Sequence, residues 1–85
     1  DVREDFYPMK TVKISLNSID KVKSFVNEIT KFDYDFDLVS GRYVIDAKSI
    51  MGIFSLDLSK AIDLNIHAAD AALDEILEIL KPYLV

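Results

Sequence analysis

Along residues 11–16 the chain alternates apolar Val12, Ile14 and Leu16 with polar Thr11, Lys13 and Ser15, the period-two pattern of a half-buried strand. The spacing then widens to three and four. Ile19, Val22, Phe25, Val26, Ile29 and Phe32 form one stripe, which predicts a helix capped by Asn17 or Ser18. Asp20 falls in its first turn, where a carboxylate suits the positive end of the helix dipole. Alternation returns over residues 34–39, with Tyr34, Phe36 and Leu38 on one face and Asp33, Asp35 and Asp37 on the other. Ser40-Gly41 supplies turn chemistry, and residues 42–46 carry Tyr43, Val44 and Ile45, so the two runs read as a hairpin. Residues 50–56, opened by Ser49, are apolar on nearly every side and too short to form a fully buried helix. Part of that segment is expected at the surface. Ile62, Leu64 and Ile66 alternate with Asp63, Asn65 and His67 as a last strand, and Leu73, Ile76, Leu77 and Leu80 mark a final amphipathic helix. Asp70 is its expected cap and Pro82 its stop.

Strand, helix, strand, strand, short helix, strand, helix is the order of an α+β open-faced sandwich, one sheet with the helices on a single face. Eighty-five residues, 51% of them apolar, suffice for one core. Met9-Lys10 reads like a natural start. The segment 1–9 is therefore set apart as an N-terminal extension or cloning remnant, with the domain at 10–85.

Composition narrows the function classes. No apolar run approaches the roughly 18–20 residues of a membrane span, and no charged-then-apolar leader is visible, so a cytoplasmic protein is expected. Without cysteine, thiolate metal sites and thiol nucleophiles are excluded. Ten basic against fifteen acidic residues give a net charge of −5. The lysines are interleaved with acids, so direct nucleic-acid binding is not expected. Two glycines, Gly41 and Gly52, cannot build a phosphate-cradling loop of the P-loop or Rossmann kind. No cofactor is expected.

The run Ala47-Lys48-Ser49-Ile50-Met51-Gly52-Ile53-Phe54-Ser55-Leu56 resembles the regulatory-serine region of HPr phosphocarriers, whose core reads K-S-I-M-G. The resemblance extends over residues 10–84 and shares the element order. It implies a four-stranded antiparallel sheet covered by three helices, and service in the bacterial sugar phosphotransferase system. The implied partners are enzyme I, the sugar-specific enzymes and, in many Gram-positive bacteria, an HPr kinase/phosphorylase. In the family a histidine at the start of the first helix carries phosphate, within a sequence like G-I-H-A-R-P-A. Aligning back from Lys31-Phe32 places Ser18 at the histidine, Asp20 at the arginine and Lys21 at the proline. A carboxylate in place of the cation repels a phosphoryl group by about a kcal/mol or more at contact. No histidine precedes His67. No catalytic residue is assigned, and the chain is not expected to be an enzyme.

Each candidate has a plainer reading beside it. Ser18 as a substitute acceptor competes with Ser18 as an N-cap, the commoner role. Ser49 can be both a cap and, by the resemblance, a regulatory phosphorylation site. Ile50, Met51, Ile53 and Phe54 divide between core and a partner-binding patch in which a flexible Met favours contacts. His67, a lone histidine, makes neither a metal site nor a phosphoryl site. The Asp33, Asp35, Asp37 row lacks the Gly and distal Glu of a calcium loop and reads as a solvated strand face. The leading expectation is a regulatory or binding module acting through the Ser49 helix. In logic it is similar to the catabolite-repression paralogue of HPr, which works through a LacI-type repressor. The alternatives are a residual phosphocarrier with another acceptor, and a structural or assembly module, domain-swapped through its N-terminal strand and the extra segment 1–8.

Overall fold

The period-two segments pair into one antiparallel sheet. In the computed structural model, which describes residues 8–85, the strands are β1 (Met9–Ile14), β2 (Asp35–Ser40), β3 (Tyr43–Asp46) and β4 (Ile62–His67). Their order across the sheet is β1-β4-β2-β3. The helices are α1 (Ile19–Ile29), α2 (Ile50–Phe54) and α3 (Asp70–Leu80), followed by a 3₁₀ turn at Lys81–Tyr83. This is the four-stranded antiparallel sheet with three helices that the resemblance implies. The extension at residues 1–7 lies outside the described residues; Met9, grouped with it above, is the first residue of β1.

Register explains the two faces. Ile14 stands opposite Ile62 and Val12 opposite Leu64, while Phe36 meets Ile66 and Leu38 meets Leu64. These side chains share one face with Ile45, the partner of Leu38. Against it pack Val22, Phe25 and Ile29 of α1, Ile53 of α2, and Ile76 and Leu80 of α3, all buried. On the other face Val39 stands opposite Val44, and two of the pairs between β1 and β4 are polar. Thr11 donates to Asn65 at 2.8 Å and Lys13 to Asp63 at 2.8 Å.

The chain's last residues return to β1. Ser15 N–H donates to the Tyr83 carbonyl at 2.8 Å and Val85 N–H to the Lys13 carbonyl at 3.1 Å, with a bridge between Ile14 and Leu84. Tyr83 sits edge-on to Phe25, ring centres 5.6 Å apart. Its hydroxyl shares a 2.5 Å hydrogen bond with that of Ser24.

Four local expectations need correction. Ile19, assigned to the buried stripe of α1, is 61% exposed, because a first-turn side chain leans toward the N-terminus, away from the packed turns at Val22 and Phe25. Asp70 does not cap α3. Ala69 occupies the cap with no side-chain bond, and Asp70 is the first helical residue, where its charge still favours the dipole. The aspartate row is not wholly a solvated face, since Asp37 is half-buried and accepts from His67 Nε2 at 2.8 Å. Ile53, grouped with the partner-binding patch, has no exposed surface.

Candidate functional site

Two helix starts carry the residues the sequence singles out. Before α1, Ser18 holds an extended backbone (φ −149°), and its Oγ accepts from Lys21 N–H at 3.1 Å. Asp20 stands in the first turn, and both residues are exposed. Before α2, Ser49 is likewise extended (φ −93°), with Oγ accepting from Gly52 N–H at 3.2 Å. Ser49 is exposed and no acid occupies the first turn of α2.

The residues around Ser49 hold this turn in place. The Asp46 carboxylate accepts from Lys48 N–H at 2.9 Å, and the Asp46 carbonyl accepts from Ser49 N–H at 3.0 Å. Lys48 then extends away from the surface. Its Nζ donates to the Phe32 carbonyl, just beyond α1, at 2.7 Å, and lies 5.7 Å from the centre of the Phe36 ring. The lysine therefore ties α2 to the end of α1, a role sequence reasoning missed because its partner is 16 residues away. Gly52 has its own reason. A Cβ there would stand 3.2 Å from both Ile45 Cδ1 and Ser49 Oγ, so glycine leaves room for the cap and for the strand side chain below it.

The apolar residues of α2 separate by side. Ile53 is core, Ile50 half-buried, Met51 77% exposed and Phe54 41% exposed. Met51 and Phe54 are three apart, hence neighbours on one helix face. Phe54 also lines a groove of about 440 Å³ with Asn17, Ser18, Ile19, Leu58 and Ser59. Ser18 thus borders a largely apolar groove to which α2 contributes Phe54. Ile19 and Leu58 were not foreseen there, since α1 periodicity assigned Ile19 to the core and only the fold brings it to Phe54.

His67, the last residue of β4, is 2% exposed. A carboxylate only accepts, so the 2.8 Å bond to Asp37 Oδ2 fixes the proton on Nε2. Nδ1 is buried with no hydrogen-bond partner among the described residues. In the loop between α2 and β4, Asp57 accepts from both the amide and the hydroxyl of Ser59. These bonds, the hydroxyl's foremost and with Lys60 adding attraction, hold its carboxyl below the ordinary value of 3.8. No group of three potential metal ligands occurs among the described residues, and none of their helices is long and apolar enough to cross a membrane.

Comparison with known proteins gives this geometry its family. The chain is similar to the phosphocarrier protein HPr of Bacillus anthracis strain Ames, at 30% identity and a TM-score of 0.66 over 94% of this chain and 99% of that one. It is similar also to HPr-C-His from Thermoanaerobacter tengcongensis, at 25% identity and a TM-score of 0.66, covering 85% of this chain and 91% of that one. Among curated proteins no significant match is found. The family model described as the PTS HPr component phosphorylation site matches residues 21–84, from the first turn of α1 through the segment after α3. Carrying the fold and most of the length of these phosphocarriers, the chain belongs to the HPr family of the phosphotransferase system.

Proposed function

We propose that this HPr-family protein is a regulatory or binding member that acts through the Ser49 helix and carries no phosphate on a histidine. The observation that carries the reading is the exposed Ser49 cap beside Met51 and Phe54, which stay at the surface while Ile53 anchors the turn beneath them. A phosphate on Ser49 would add about two negative charges beside this apolar face. Partner choice would change more than stability, because the charge lands outside the core. The partners are proteins of cytoplasmic carbon regulation, an HPr kinase/phosphorylase or a LacI-type regulator.

The start of α1 supports the negative half of the reading. Ser18 uses its hydroxyl as a cap, and Asp20 presents a carboxylate where an incoming phosphoryl group needs a cation. His67 is no replacement. It is buried, bonded to Asp37 and at no helix start.

Intact mass separates this proposal from the residual-phosphocarrier alternative. Enzyme I with phosphoenolpyruvate should add nothing, whereas HPr kinase with ATP should add one phosphate, lost in Ser49→Ala. An acid-labile adduct in the first reaction, or a phosphate persisting on Ser49→Ala in the second, would overturn it. Restoring histidine chemistry should need Ser18→His together with Asp20→Arg.

A further inference from the structure

The outer edge of β3 offers an interaction surface separate from the Ser49 helix. Among the described residues β3 pairs only with β2, and its Tyr43 and Val44 are 65% and 64% exposed. Such an edge presents unpaired backbone groups that can extend a sheet.

The hairpin sets which groups point outward. Ser40 pairs with Tyr43 across the two-residue loop Gly41-Arg42, and Gly41 takes φ +60°, as a II′ turn requires at its first position. In such a hairpin the residues flanking the loop exchange both hydrogen bonds, and the pattern alternates from there. Tyr43 and Ile45 therefore direct their amides and carbonyls to β2, and Val44 directs its own outward. The same alternation puts the side chains of Val44 and Asp46 on the face opposite the helices, and Arg42, the second loop residue, leads into the strand with a side chain long enough to reach past its end.

Read against itself in the antiparallel sense about Val44, the sequence Arg42-Tyr43-Val44-Ile45-Asp46 is self-complementary. Val44 meets Val44, Tyr43 meets Ile45, and Arg42 meets Asp46 at both ends. The central valine then forms the doubly hydrogen-bonded pair that its outward amide and carbonyl demand. Opposite charges directly across antiparallel strands stabilise, whereas parallel in-register pairing would set Arg on Arg and Asp on Asp. Arg42 makes no ion pair among the described residues and is available. The Asp46 carboxylate accepts from Lys48 N–H through Oδ1 and keeps further lone pairs.

We propose that the β3 edge pairs with the β3 edge of a second copy of this chain, joining two sheets about a two-fold axis through Val44. A strand this short buries less than a standard interface. The dimer is accordingly weak, with a dissociation constant of about 0.1–1 mM.

Sedimentation of the full chain up to about 1 mM should show a concentration-dependent dimer, and mixed-label NMR should give Val44-to-Val44 contacts between copies. Val44→Pro removes only an outward N–H, which an edge strand tolerates, and should weaken dimerisation more than tenfold with an unchanged circular dichroism spectrum. Val44→Lys should do the same through like-charge contact. Arg42→Asp and Asp46→Arg chains should each stay monomeric, but a mixture of the two should pair, because opposite charges then meet at both ends. A monomer throughout the concentration range, a dimer that survives both Val44 changes, or intermolecular contacts confined to the Met51 and Phe54 surface would overturn the proposal.

Discussion

At the start of α1 the Ser18 hydroxyl accepts from an amide at 3.1 Å; at the start of α2 the Ser49 hydroxyl does so at 3.2 Å. Both residues are exposed and both hold an extended backbone. The local structures are alike, so capping geometry alone does not distinguish the two sites. The surroundings differ. Beside Ser18 stands the carboxylate of Asp20, and the helix that follows runs 11 residues with three of them buried. Beside Ser49 there is no acid in the first turn, and the helix of 5 residues has one buried anchor and two exposed apolar neighbours. Added negative charge is therefore repelled from within the helix at the first site, whereas at the second the helix brings no acid and the Asp46 carboxylate, before the cap, is engaged by Lys48 N–H. An equal cap leads to unequal chemistry because of what lies one turn away.

Separating the two sides of α2 gives the largest expected effect. Ile53→Ala should cost about 2–5 kcal/mol in urea denaturation, as deletion of a fully buried aliphatic side chain does, whereas Met51→Ala should stay within about 0.5 kcal/mol. Equal costs would mean that α2 has no distinct surface side. Next come the caps themselves. Ser18→Ala and Ser49→Ala should each lose about 1 kcal/mol, with glycine at either position recovering most of it. If the alanine changes were silent in both helices, the equivalence of the two starts would fail. Lys48→Met should cost about 1 kcal/mol through the lost bond to the Phe32 carbonyl, and faster hydrogen exchange in α2 than in α1 would locate the damage.

The smallest effect is titration of the loop after α2. The Asp57 carboxyl titrates below its unfolded value, so its contribution is complete above that value and disappears as pH falls through the lower, folded one. Amide shifts of Ser59 should therefore move below about pH 4 and not above it. Asp57→Asn should flatten that response with almost no change in global stability. A Ser59 shift centred above pH 5 would contradict the assigned hydrogen bonds.

Much of the fold is legible because strand alternation and helix spacing are local properties. Val12 and Ile14, Ile62 to Ile66, and Val22 to Ile29 face inward as their periods require. What escapes a local reading depends on register or on position in the sheet. The contact of His67 with Asp37 spans 30 residues. Nothing in the Tyr43-Val44-Ile45 run says that β3 lies at an edge. In α2 five residues are too few for a period to decide which side turns inward, so Ile53 could be distinguished from Met51 only by what packs beneath it. Ser49 itself was legible, since a serine before an apolar turn is a cap wherever the turn goes.

The return of the chain's last residues to β1 matters for the shape of any assembly. The bridge between Ile14 and Leu84 and the bond from Val85 N–H to the Lys13 carbonyl close one end of the outer edge of β1. Lys10 and Lys13 stand along the same strand, and edge lysines resist further strand addition. A sheet with two receptive edges can add copies end on end and grow into a filament; a sheet with one receptive edge stops at a pair. By blunting the opposite edge, the C-terminal residues protect the molecule against open-ended polymerisation, and removing Leu84 and Val85 should raise its tendency to aggregate at high concentration.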